Sequence, residues 1–262
     1  MDKVVTLSSL LLFSASIVSS CALFSSPEYS MPEKVNVNEI SVLTRDNLKV
    51  SVKNYIPESK EKLPAVILIH MLGKDKTSWN KFIPRLLENG YAVFNVDMRG
   101  HGRSTKIQNG HEIFYTNMNE TDWKKLPDDV LDIINFIQNE KSVNKDKISI
   151  IGASIGANTA IIEGSEYPDK IKAVVALSPG LDYHGLITLD AAKKLDIPIF
   201  IASSEGDTYS LESSNQLNKV VKSTHDLLIY KGSEHGTNLL NQSEDLENKV
   251  ISWLNENFKN KN

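Results

Sequence analysis

Apolar positions recur along the chain at two spacings, and the order in which those spacings alternate predicts an architecture. Glu39-Ile40-Ser41-Val42-Leu43 and Leu48-Lys49-Val50-Ser51-Val52 alternate apolar with polar residues on either side of Arg45-Asp46-Asn47, the pattern of an antiparallel pair joined by a turn. The run Ala65-Val66-Ile67-Leu68-Ile69 is instead continuously apolar, as expected of a strand covered on both faces. Phe82, Leu86 and Leu87 then fall at helical spacing before Gly90, and Tyr91-Ala92-Val93-Phe94-Asn95-Val96 reads as the next strand. The alternation continues with a helix carrying Val130, Ile133, Ile134 and Ile137, a strand at 148–151, a helix beginning near Ala157, and strands at 173–177, 197–201 and 227–230. A closing helix carries Val250, Ile251, Trp253 and Leu254. Strands alternating with helices imply βαβ crossovers and a mostly parallel central sheet with helices on both faces, an α/β class. Only residues 178–195 separate the strands at 173–177 and 197–201, so no large cap domain fits there.

The N-terminus departs from this pattern. Met1-Asp2-Lys3 leads into an apolar stretch from Val4 to Val18, shorter than the roughly 20 residues of a membrane span but suited to a signal-peptide core. The stretch ends in Val18-Ser19-Ser20-Cys21, which resembles the bacterial lipobox, and Cys21 is the sole cysteine. Residues 1–20 therefore read as a signal peptide and Cys21 as the lipidation site. Residues 21–35, broken by Ser25, Ser26, Pro27, Ser30 and Pro32, read as a tether, and 36–262 as the folded domain. The expected location is the bacterial cell envelope, with the exported protein held to a membrane by its anchor.

Composition narrows the function classes. A net charge of −4 offers no basic field for nucleic acid, and neither a Lys/Arg-rich run nor a zinc-type Cys/His cluster is present. No cofactor or metal site is expected.

The chemistry concentrates in the second half. Gly152-Ala153-Ser154-Ile155-Gly156 follows a predicted strand and opens a predicted helix, the context that the G-x-S-x-G nucleophile elbow requires. Such a turn lifts the serine hydroxyl above the sheet and points the Ile155 N–H at a developing oxyanion. A serine hydroxyl is a weak nucleophile until a base takes its proton. His235, in Gly232-Ser233-Glu234-His235-Gly236 after the last predicted strand, is the best placed base. His70 and His101 sit in upstream loops, and His111, His184 and His225 lack a supporting pattern. The base needs a carboxylate to fix its tautomer. Asp207 fills that role, with Glu205 a near competitor and Asp182 a more distant one.

The chain order Ser154, Asp207, His235, together with the segment from Gly90 to Ser104 containing Asp97-Met98-Arg99-Gly100-His101-Gly102, resembles the α/β-hydrolase superfamily over about 36–258. Its bacterial esterases and dienelactone-hydrolase-like members are the nearest in type. The resemblance implies the α/β-hydrolase fold, structural roles for Asp97 and Arg99, and hydrolysis through a nucleophile–acid–base triad. Dienelactone hydrolases use a cysteine nucleophile, so Ser154 favours ordinary ester hydrolysis. Family members often carry His-Gly-x-Gly in the oxyanion loop, whereas this chain has His70-Met71-Leu72-Gly73. Backbone N–H groups serve regardless of side chain, so Met71 and Leu72 both stand as donors, with Leu72 favoured by the resemblance and Met71 an alternative pocket wall. Phe114, Tyr115 and Trp123 in the loop at 105–126 are candidate walls for a small, open acyl site. The expected partner is a small-molecule ester. A thioesterase, an aminopeptidase-like hydrolase or a non-catalytic surface-binding lipoprotein are the alternatives.

Overall fold

The computed structural model describes residues 31, 34–108, 110–242 and 244–259. The expected signal peptide, the lipidation site Cys21 and most of the tether lie outside the described residues. The chain begins its sheet with an antiparallel hairpin, β1 (Val35–Leu43) and β2 (Lys49–Pro57), turned at Asn47, whose φ is 67°. It continues through β3 (Leu63–Ile69), α1 (Ile83–Glu88), β4 (Ala92–Val96), the short α2 (Glu120–Trp123), α3 (Leu126–Ile137), β5 (Val143–Ala153) and α4 (Ile155–Glu166). Then come β6 (Ala173–Leu177), a two-residue hairpin β7 (Asp182–Tyr183) and β8 (Leu186–Ile187), and α5 (Leu189–Lys194). β9 (Ile199–Ser204), α6 (Thr208–Val220), β10 (His225–Tyr230), α7 (Asn238–Gln242) and α8 (Glu244–Lys259) complete the order.

Eight strands form one sheet in the order β1-β2-β4-β3-β5-β6-β9-β10. β2 runs antiparallel to β1 and β4, and every pairing from β4 to β10 is parallel. The continuous apolar run of β3 shows why this follows from sequence. Ala65, Ile67 and Ile69 face the helices α3 and α4. Val66 and Leu68 face α1 and α8. Each side therefore has its own apolar layer, and each fully buried Val, Leu or Ile contributes about 1.5–3 kcal/mol. β1 is the exception, a largely exposed edge strand.

Among the described residues no cap domain interrupts the fold: residues 178–195 make only the β7–β8 hairpin and α5. Among the described residues, no helix is long and apolar enough to cross a membrane. Asp97 and Arg99 occupy structural positions. Buried Asp97 accepts from Lys76 Nζ at 2.6 Å and from the backbone N–H groups of Lys76 and Arg103. Arg99 joins Asp129 on α3 to Asp46 in the β1–β2 turn.

Candidate active site

Parallel β5 ends at Ala153 and α4 begins at Ile155, leaving Ser154 alone to turn the chain. Its backbone sits at φ 56° and ψ −121°, a conformation that costs an L-residue about 1–3 kcal/mol. The flanking glycines make the turn possible. A Cβ on Gly152 would stand 2.1 Å from the Gly156 carbonyl, and one on Gly156 would stand 2.5 Å from the Ile69 carbonyl. The turn is fixed by the Ser154 N–H, which donates to Leu177 O at 2.8 Å, and by the Ser154 carbonyl, which accepts from the N–H groups of Ala157 and Asn158.

His235 reaches the same edge of the sheet from the loop after β10. Its Nδ1 lies 2.6 Å from Asp207 Oδ2. A carboxylate only accepts, so Nδ1 carries the proton and Nε2 is left free as a base. Asp207 stands at the N-terminal end of α6. The loops bearing the two residues are stitched together, with Ser204 Oγ donating to Glu234 O at 2.7 Å and Gly206 N–H to Gly232 O at 2.7 Å. The competing carboxylates are placed elsewhere: Glu205 is exposed, and Asp182 accepts from Gly185 N–H as part of the hairpin turn.

The 70–73 loop, expected from the sequence to supply the oxyanion donors, is held by two buried imidazoles. His70 Nε2 accepts from Met98 N–H at 3.0 Å while its Nδ1–H donates to Met71 O at 2.9 Å. His101 Nε2 accepts from Gly73 N–H at 3.2 Å and its Nδ1–H donates to Arg99 O at 2.9 Å. Both arrangements need neutral rings. Burial lowers both pKa values, with neighbouring His101 adding to the effect on His70, which falls to about 4. Gly73 N–H is thus engaged and Lys74 N–H donates to Met71 O, which leaves the N–H groups of Met71 and Leu72 as the loop's candidates for the expected oxyanion donors. The Met71 side chain turns toward the His235 loop. It is buried, with its Sδ 2.5 Å from where a Gly236 Cβ would be and 3.8 Å from Thr237 Oγ1, so it braces the 70–73 loop against the His235 loop.

The expected aromatic walls are also spoken for in part. Tyr115 stacks on His101 at 4.4 Å, and Trp123 stacks on His184 at 4.4 Å, this second pair lining one side of a hollow of about 400 Å³. Phe114 stays exposed.

Sequence reasoning missed Tyr183. Its ring lies edge-on to His235 with centroids 6.4 Å apart, and its hydroxyl is 3.2 Å from Ser210 Oγ. The Ser154 side chain is among the groups that act on the Tyr183 hydroxyl, and among the described residues no hydrogen bond joins Ser154 to His235. Burial raises the Tyr183 pKa, more than its contacts with Ser210 and Ser154 lower it. Ser210 Oγ further approaches His235 Nδ1 and Ser178 O, each at 3.4 Å. A tyrosine in a two-residue strand leaves no periodic trace; its only sequence signal is its place in the short segment after a parallel strand.

Residues 64–195 match the sequence profile of the alpha/beta hydrolase fold family. Epoxide hydrolase B of Mycobacterium tuberculosis is 30% identical over 128 residues, 48% of this chain and 32% of that protein. 3-Oxoadipate enol-lactonase 1 of Acinetobacter baylyi is 30% identical over 125 residues, 48% of this chain and 39% of that protein. These matches span well under half the length of those relatives. The fold is also that of an esterase from Pyrococcus furiosus, with a TM-score of 0.65 at 20% identity over 85% of this chain and 91% of the esterase. The chain belongs to the alpha/beta hydrolase fold family.

Proposed function

We propose that this hydrolase cleaves carboxylic esters through an acyl-enzyme on Ser154. The observation that carries the reading is a serine held at positive φ between β5 and α4, at the sheet edge where a histidine is oriented by a carboxylate 2.6 Å away. In this reading His235 Nε2 takes the proton as Ser154 Oγ bonds to the carbonyl carbon. Asp207 steadies the imidazolium. The Ile155 N–H and that of Leu72 or Met71 stabilise the oxyanion, each such donor contributing about 10²–10³ in rate. Collapse breaks the bond to the leaving oxygen, which receives the proton from His235. Water then adds to the acyl carbon, His235 takes its proton, and Ser154 is released.

Relatives named as a lactonase and an esterase support ester chemistry. A serine that opened an epoxide would be left as an ether with no carbonyl for water to attack, which favours an acyl substrate over that of the relative named as an epoxide hydrolase. The absence of a cap domain among the described residues favours small, short or medium acyl groups. The lipobox-like end at Cys21 supports an exported protein anchored at the cell envelope; mass spectrometry of the mature N-terminus is expected to find an acylated Cys21, and a free thiol there would remove the anchor.

A panel of p-nitrophenyl esters of graded acyl length, run beside thioesters and aminoacyl amides, tests the activity. Short and medium esters are expected to turn over, with a loss of several orders of magnitude in Ser154→Ala. Amide or thioester turnover without ester turnover would overturn the reading.

A further inference from the structure

We propose that Tyr183 is a catalytic residue for departure of the alcohol, its hydroxyl donating a hydrogen bond to the leaving-group oxygen. The inference rests on the reading of Ser154 as nucleophile, and its first support is position. β5, which leads into Ser154, lies between β3 and β6. The oxyanion loop follows β3, while Tyr183 follows β6, so the two stand on opposite sides of the nucleophile. A carbonyl oxygen seated against Ile155 and the 70–73 loop therefore points away from the Tyr183 phenol. His235 must serve both Ser154 Oγ and the leaving oxygen in turn, which puts the leaving oxygen on the histidine side. Tyr183 is on that side, its ring edge-on to His235 with centroids 6.4 Å apart and its hydroxyl 3.2 Å from Ser210 Oγ, which itself lies 3.4 Å from His235 Nδ1.

The second support is preorganisation. The hairpin that carries Tyr183 is short but tied at every corner. The Tyr183 ring fills the space beside Gly180, where a Cβ would meet it at 2.6 Å. Tyr209 Oη accepts from Asp182 N–H and donates to Asp182 O, both at 2.9 Å. Buried Asn158 on α4 donates to Leu186 O at 2.8 Å and accepts from Gly180 N–H at 2.9 Å. Thr188 Oγ1 donates to Gly180 O at 2.7 Å. A phenol held this firmly gives its hydrogen bond without reorganising as the reaction proceeds.

The step balances without consuming the phenol proton. As the tetrahedral intermediate collapses, the carbon–oxygen bond to the alcohol breaks and its electron pair stays on that oxygen. His235 delivers the proton, and Tyr183 keeps its own while sharing it in a hydrogen bond. Such help matters most where negative charge on the leaving oxygen is least stable. The favoured substrates are therefore esters of ordinary alkyl alcohols rather than esters of phenols or other activated alcohols.

The test compares the full chain with Tyr183→Phe on esters that share one acyl group and differ in the alcohol, from ethyl through trifluoroethyl to p-nitrophenyl. The variant is expected to lose about tenfold in kcat/KM on the ethyl ester, the scale of one hydrogen bond, and little on the p-nitrophenyl ester. Its rate would then depend more steeply on leaving-group acidity. An equal loss across the series, or no loss on the ethyl ester, overturns the role of Tyr183 while leaving the nucleophile standing. A wild-type chain that hydrolyses none of the series overturns both readings.

Discussion

Asp207 and Glu205 stand two residues apart in one loop and differ by a methylene, yet only Asp207 meets His235. Alternate residues of a loop leaving a strand need not share a direction, and the sequence holds no rule that tells which will face inward. The geometry separates them. Asp207→Asn is expected to lower kcat by about 10³–10⁴ by favouring the wrong imidazole tautomer, while Glu205→Gln leaves turnover within about twofold, as for surface changes away from a site. Steady-state kinetics on a short ester reads both. Ser154 and His235 were legible because each sits directly after a strand and carries a recognisable chemistry. Met71 was legible as a departure from the expected glycine, but not its use. That a thioether would brace two loops at Gly236 depends on how those loops approach, which no local pattern encodes.

The element that shapes the site most is α4, and two of its residues make opposing demands. Gly156 lets the helix start against β3. Gly156→Ala would press a methyl on the Ile69 and His70 carbonyls and so displace the oxyanion loop. It is expected to cost about 1–3 kcal/mol of stability and to lower kcat, measured by denaturant unfolding alongside turnover. Glu163, two turns on, is buried with Oε2 lacking a hydrogen-bond partner among the described residues. Burial, with Glu166 and Asp128 adding repulsion, pushes its pKa from 4.5 up to about 9. The unfolded chain releases that proton above about pH 4.5 and the folded chain holds it to about 9, so stability falls as pH rises through this window. Glu163→Gln is expected to raise stability by about 1–3 kcal/mol at pH 8 and to change it little at pH 5. Unfolding midpoints at the two pH values decide this. His70 works in the opposite sense: the unfolded chain takes up a proton below 6.5 that the fold refuses until about 4, so its contribution is full above 6.5 and is lost on acidification. The strands and the helices α3, α4 and α8 were legible because continuous apolar runs and helical spacing report burial on two faces or one, whereas α6 was not, its buried positions being mostly serines, Ser210, Ser213 and Ser214. The β7–β8 hairpin was not, since two residues per strand carry no period.

At the scale of the molecule, one sheet gathers residues more than 160 positions apart along a single edge, from Met71 to Thr237. The buried guanidinium of Arg99 spans three segments by pairing with Asp129 and Asp46. Arg99→Leu strands buried Asp129, while Asp46 keeps Lys125 and Thr44, and is expected to cost about 3–5 kcal/mol, seen as a lowered unfolding midpoint. The mostly parallel sheet and its crossovers followed from the alternation of patterns, whereas the order of the strands did not. Which side of Ser154 each loop occupies followed only from the strand order β3-β5-β6. That arrangement makes the central claim testable in one step, because a fluorophosphonate reacts only with a serine served by both a base and an oxyanion hole. Peptide mapping of the labelled full chain should find a single adduct on Ser154, absent from Ser154→Ala and strongly slowed in His235→Gln. An unlabelled folded wild type, or an adduct that persists in Ser154→Ala, would contradict the account.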